Sequence, residues 1–215
     1  MFRASRPRSV AVMAKERLKS PRARLFIALD LPEDLREGIV AWGRDQLVDP
    51  ALRPVPPESL HVTLAFLGYR PEKEIEQIAE VVRESAGPAP WVELRDPVRR
   101  PPRGRARVYA LPVVSPGTEA LQAGVEQGLS TQGFYKPEKR PFWPHVTVAR
   151  VRPEARGTRR PAVVSEAPGA LSLELTEPRI AVRMALYRSD LQPTGARYVP
   201  LAQVELPGGG SSEVD

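Results

Sequence analysis

Two short segments, HVTLAF (His61 to Phe66) and HVTVAR (His145 to Arg150), hold the only histidines of a 215-residue chain. In both, threonine follows histidine at a distance of two. Threonine occupies seven positions in all, so the doubled spacing is roughly a one-in-a-thousand coincidence of composition alone. The surroundings repeat as well. A strand-like run, a helix and an HVT strand, in the order of Leu25, Leu35 and His61, recur as Val108, Leu121 and His145. A chain built this way reads as an α+β protein of two similar lobes. Related lobes place equivalent strands opposite each other across a groove, which would bring the two histidines together.

The periodicities fill in the rest. RLFIALDL (Arg24 to Leu31) is a β-type run. After it, Pro32 opens PEDLREGIVAWGRDQL, whose Leu35, Ile39 and Trp42 form one helical face behind the acids Glu33 and Asp34. A second helix is expected over Pro71 to Ala86, striped by Ile75, Ile78, Ala79 and Val82, and a third around Leu121, Val125 and Leu129. WVELRD, ARVYALPVV, WPHVTVARV, ALSLELTE, RIAVRMALYRS and RYVPLAQVEL read as strands.

Composition excludes several functions. Cysteine is absent, which removes thiolate metal sites, disulfides and cysteine nucleophiles and fits a reducing cytoplasm. No apolar run is long enough to span a membrane. Neither a G-x-S-x-G elbow nor a Walker loop occurs. The net charge of +6, carried mostly by arginine, favours polyanionic partners. Residues 1–22 and 207–215 read as flexible tails around one domain over 23–206. Two other readings of the basic N-terminus are a translation start at Met13 and, ranked last, a mitochondrial presequence.

On a β-strand, residues i and i+2 share a face. His61 therefore projects with Thr63, and His145 with Thr147, while Val62 and Val146 turn the other way. Regular alternation carries Leu64, Phe66, Val148 and Arg150 onto the valine face. A lone histidine in an apolar strand is most often a hydrogen-bonded core residue, and a common origin of the lobes would copy it. Paired imidazoles, however, can serve as general base and general acid at once. Two of them without a carboxylate pattern make a poor metal site. Metal-independent phosphodiester cleavage suits them. One imidazole takes a proton from water, the other protonates the departing oxygen, and the threonine hydroxyls donate to the non-bridging oxygens. Strand geometry alone leaves the two roles interchangeable.

At these residues the chain resembles the two-histidine phosphoesterases, and more closely the RNA 2′,3′-cyclic phosphodiesterases of the 2′-5′ RNA ligase family. RLFIALDLP, HVTLAFLG, PHVTVAR and LYRSDLQPTGARYVPLAQVEL carry the likeness, which covers Arg24 to about Leu206. It implies a bilobal, pseudo-symmetric α+β fold, with two antiparallel-type sheets facing a central cleft and helices outside. It also implies opening of a 2′,3′-cyclic phosphate on RNA ends or nucleotides to a 2′-phosphate. No cofactor or metal is expected from the residues, and a self-contained two-lobed domain can work as a monomer. The resemblance assigns His61 as proton donor, His145 as proton acceptor and Arg150 as a phosphate ligand. Since i+3 faces away in a regular strand, Arg150 joins Thr147 only across a bulge or at a strand end. Phe142 is placed either to stack on a base or to pack in the core. Trp143 departs from the polar residue expected there and receives no role. The arginine clusters at Val98 to Val108, a loop before a strand, and at Arg150 to Arg160 either grip an RNA backbone or are solvated surface. The alternatives are 2′-5′ ligation, cleavage of another cyclic phosphate or 2′-5′ linkage, and a non-catalytic RNA- or nucleotide-binding module.

Overall fold

The first described strand, β1 (Arg22–Asp30), is buried on both faces: Leu25 to Leu29 are at most 3% exposed. A run so uniformly apolar belongs in the middle of a sheet. The computed structural model, which describes residues 21–192 and 195–208, places it there, between β3 (His61–Pro71) and β9 (Arg183–Gln192). The tails expected at the two ends fall mostly on residues 1–20 and 209–215, outside the described residues.

The remaining elements are α1 (Glu33–Gln46), β2 (Leu52–Pro54), α2 (Ile75–Glu84), β4 (Trp91–Leu94), β5 (Val98–Arg100), β6 (Val108–Val114), α3 (Pro116–Thr131), β7 (His145–Val151), α4 (Leu173–Thr176), β8 (Arg179–Ile180) and β10 (Gly195–Glu205). The three long helices fall where their apolar stripes put them. In α1, Leu35, Ile39 and Trp42 are buried; in α3, Leu121, Val125 and Leu129. Ser115 caps α3, its Oγ accepting from the Thr118 amide at 3.1 Å, with Pro116 in the first turn.

All strand pairs are antiparallel, in the order β10-β9-β1-β3-β7-β6-β4-β8, with β2 added on β7 and β5 on β6. The two expected sheets are therefore edge-joined. Their junction is a single residue pair, Val62 with Val146. Each lobe contributes its HVT strand to that seam, so the seam positions the site.

Three local expectations are corrected. RIAVRMALYRS is not one strand. It breaks at Ala181, which is fully buried, and β8 pairs with β4 in one lobe while β9 pairs with β1 in the other. ALSLELTE is not a strand either; it ends in the helical turn α4. Only Leu175 of its leucines is buried, fitted against Gly38 of α1, where an added Cβ would lie 2.5 Å from Leu175 Cδ2. Finally, the arginine-rich segment after Val98 begins as a strand, β5, hydrogen-bonded to β6.

A buried carboxylate ties the lobe connections together. Asp49 accepts from the Ser165 and Glu166 amides, the Ser165 hydroxyl and the Ala51 amide. These bonds, the one from Glu166 foremost, lower its pKa to about 2. No helix among the described residues is long and apolar enough to cross a membrane.

Candidate active site

At the seam Val62 and Val146 are fully buried, so their neighbours on each strand project to the opposite face. Antiparallel register then sets His61 across from Thr147 and Thr63 across from His145. All four line one cleft of about 930 Å³.

Beyond the threonines both strands depart from regular alternation in the same way. β1 pairs Ile27 with Ala65 and then Ala28 with Thr63, which leaves Leu64 as an extra residue. β6 pairs Tyr109 with Ala149 and then Ala110 with Thr147, which leaves Val148 extra. Each is a β-bulge immediately after the threonine. Each turns two successive apolar residues, Leu64-Ala65 and Val148-Ala149, into the core. The next residue returns to the cleft face. Regular alternation would have buried Phe66 and Arg150 with the valines; instead both line the cleft. The bulge thus meets the condition for Arg150 to join Thr147. It also makes Phe66, which the sequence reading did not single out, the counterpart of Arg150 in the other lobe.

Behind His61 stands an aromatic wall. The Phe26 ring stacks on the imidazole at 5.0 Å, Tyr187 stacks on Phe26 at 5.3 Å, and Tyr198 meets His61 edge-on at 5.5 Å. Asp30, the Cα partner of His61 across the β1–β3 pair, is buried. Its carboxylate accepts from Arg183 Nε at 2.7 Å and from the Tyr187 hydroxyl at 2.8 Å. Burial pushes the His61 pKa down to about 4, opposed by Asp30 and by a hydrogen bond to the Ser59 backbone. His145 and Arg150 push it in the same direction as burial.

His145 is backed differently. Its ring stacks on Trp143, with centroids 4.1 Å apart and planes 14° from parallel, and the Arg100 guanidinium lies 3.9 Å from the Trp143 ring centre. The Trp143 carbonyl lies 2.7 Å from Nδ1. Nδ1–H donating there leaves Nε2 with the lone pair. Burial lowers the pKa of His145, the Trp143 carbonyl raises it, and Arg100 lowers it further.

The cleft is cationic. Among the described residues, Arg24, Arg53, Arg150 and Arg197 line it against one acid, Glu58. Phe142 does not line it and packs against the core. Of the two arginine clusters only Arg150 reaches the cleft. Arg105 pairs with Glu154, Arg99 bonds the Gly104 carbonyl, and Arg152 bonds the Leu52 carbonyl. Among the described residues no three His, Cys, Asp or Glu side chains are grouped to hold a metal ion.

Known proteins share this frame. The profile of the 2′-5′ RNA ligase superfamily matches residues 31–184. The chain is 35% identical to the RNA 2′,3′-cyclic phosphodiesterase of Thermus thermophilus, covering 86% of this chain and 91% of that one. It is 31% identical to the protein of that name from Escherichia coli, over 85% and 96% of the two chains. Among solved structures, a Thermus thermophilus protein superposes with a TM-score of 0.69 at 31% identity, covering 87% of this chain and all of that one. Escherichia coli LigT complexed with 3′-AMP gives 0.68 at 25% identity, over 86% and 99%. With the profile spanning most of the chain and both lobes, the protein belongs to the 2′-5′ RNA ligase superfamily.

Proposed function

We propose that the protein hydrolyses the 2′,3′-cyclic phosphate of RNA ends or nucleotides to a 2′-phosphate, without a metal, by the paired action of His61 and His145. The observation that carries this reading is the doubled His-Thr arrangement lining one cationic cleft, each histidine with a backbone carbonyl two residues back.

Forming a 2′-phosphate requires breaking the P–O3′ bond. His145 Nε2 takes a proton from the attacking water as the new P–O bond forms. His61 delivers a proton to O3′ as it leaves. The Thr63 and Thr147 hydroxyls donate to the non-bridging oxygens, and Arg150 meets their charge, which grows in the transition state. Local charge supports this division of labour. Asp30 favours a proton on His61, and Arg100 disfavours one on His145. Burial keeps the empty cleft from holding the His61 proton; the anionic phosphate, once bound, favours it. Phe66, exposed beside the cleft with Arg24 over its ring at 4.6 Å, offers a face on which a base can stack. Both histidines lie in one chain, so a monomer suffices.

The test is turnover of a nucleoside 2′,3′-cyclic phosphate in the presence of a strong chelator, with the product identified by phosphorus NMR. A 2′-phosphate is expected. A 3′-phosphate, or activity that a divalent ion alone restores, would overturn the reading.

A further inference from the structure

Past Phe66 the cleft does not end. A second depression of about 400 Å³ continues it, and Arg24, Ser189 and Leu191 line both. Its floor is the outer end of the β1–β3 pair, where Arg24 is the partner of Tyr69 and Arg22 of Pro71. Opposed residues of paired strands share a face. Tyr69 and Arg22 therefore lie on the face that carries Arg24 and Phe66. Tyr69 is 56% exposed and Phe66 43%, so both rings present area to solvent beside Arg24, which lies across from Tyr69 and over the Phe66 ring.

We propose that this depression is a second nucleotide subsite. Tyr69 stacks the base of the residue 5′ to the cyclic phosphate, and Arg22 and Arg24 hold the phosphodiester joining the two residues. The inference rests on the cyclic-phosphate reading and deepens it, naming the residues that hold the second nucleotide of an RNA 3′ end.

Charge and spacing support the assignment. Neither Arg22 nor Arg24 pairs with a carboxylate among the described residues. Arg22 donates to the Tyr69 carbonyl at 2.5 Å, and Arg24 to the Ser189 hydroxyl at 3.0 Å. Each is held in place with its charge unspent. Arg188 and Asp190, also in the lining, are ion-paired at 3.1 Å and cancel. Glu72 lines only the outer depression. It stands against Arg22 and Arg24 in that lining, which keeps a net positive charge among the described residues. Leu67 is the extra residue of another bulge and Gly68 adopts a left-handed φ of 68°, so Tyr69 returns to the face of Phe66. The two platforms stand about two strand steps apart, roughly 7 Å. An alternation of aromatic faces and cations of this kind suits single-stranded nucleic acid.

The experiment compares kcat/KM for uridine 2′,3′-cyclic phosphate with that for the dinucleotide carrying one further uridine on its 5′ side. The added nucleotide should raise kcat/KM about tenfold, mainly through KM, as stacking on one aromatic allows. Tyr69→Ala should remove most of that gain and leave mononucleotide turnover within about twofold, with Tyr69→Phe retaining it. Arg22→Ala should flatten the salt dependence for the dinucleotide alone. Equal kcat/KM for the two substrates would overturn the inference while leaving the cyclic-phosphate reading intact. A Tyr69→Ala loss shared by both substrates would overturn it as well, because that is the signature of a structural role. If neither substrate turns over, the cyclic-phosphate reading falls and the subsite with it.

Discussion

The two halves of the site are built alike and charged differently. Each supplies a strand with histidine, threonine and a bulge in the same positions. Behind His61, however, lie Phe26, Tyr187 and the carboxylate of Asp30; behind His145 lie Trp143 and the guanidinium of Arg100. Where the bulge returns the chain to the cleft, one half presents Phe66 and the other Arg150. In the proposed mechanism, repetition of the backbone supplies the geometry of acid–base chemistry. The side chains behind and beyond each histidine supply its direction.

The largest effects should come from the histidines. Replacing either by Ala should lower kcat on the order of 10²–10⁴-fold. A substrate whose bridging 3′ oxygen is replaced by sulfur separates the two roles, because a thiolate leaves without being protonated. His61→Ala should then recover most of its loss and His145→Ala none. The opposite recovery would reverse the assignment.

Asp30→Asn should come next. Without that carboxylate His61 holds its proton less firmly, so the alkaline limb of the rate profile moves to lower pH. The accompanying loss in kcat at neutral pH should be on the order of tenfold, the effect of one pKa unit. An unmoved limb would mean that Asp30 serves only Arg183 and Tyr187.

Trp143→Ala should act on the opposite limb. Opening His145 to water relieves the burial that depresses its pKa, so the acidic limb moves to higher pH. The loss in kcat should be smaller, on the order of threefold to tenfold, from a less well positioned ring. Trp143→Phe should retain most of the activity, and Arg100→Ala should move the same limb in the same direction. The smallest effect is expected from Phe142→Leu, a core substitution away from the cleft. It should lower stability by about 1 kcal/mol in chemical denaturation and leave KM unchanged.

Much of this was legible in the sequence. The His-Thr registers needed only strand alternation, and the helices only their apolar stripes. The placements of Phe66 and Arg150 depended on bulges. Their trace in the sequence is a pair of adjacent apolar residues, Leu64-Ala65 and Val148-Ala149, where alternation calls for one. An alanine in such a pair is a weak signal, since it fits either face. Asp30, Arg24, Arg197 and Tyr198 come from strands whose partners are set by sheet order, which no local pattern reveals. Trp143 gave no sign of its role because stacking on His145 needs a turn in the backbone as well as nearness in sequence. Ala170 to Glu177 misled in the other direction. Its alternating leucines satisfy a strand pattern, yet Leu173 is exposed and Leu175 fills the space left by a glycine in α1.

The chain has only two histidines, so the imidazole NMR spectrum of the untagged protein contains the two rings of the site and nothing else. Titrating it empty and then saturated with a nucleoside 2′-phosphate tests most directly whether both face one phosphate. Both rings should titrate below the usual 6.5 in the empty protein, His61 near 4, and both should move to higher pH when the anion binds. A ring that titrates normally and ignores the anion would contradict a shared site.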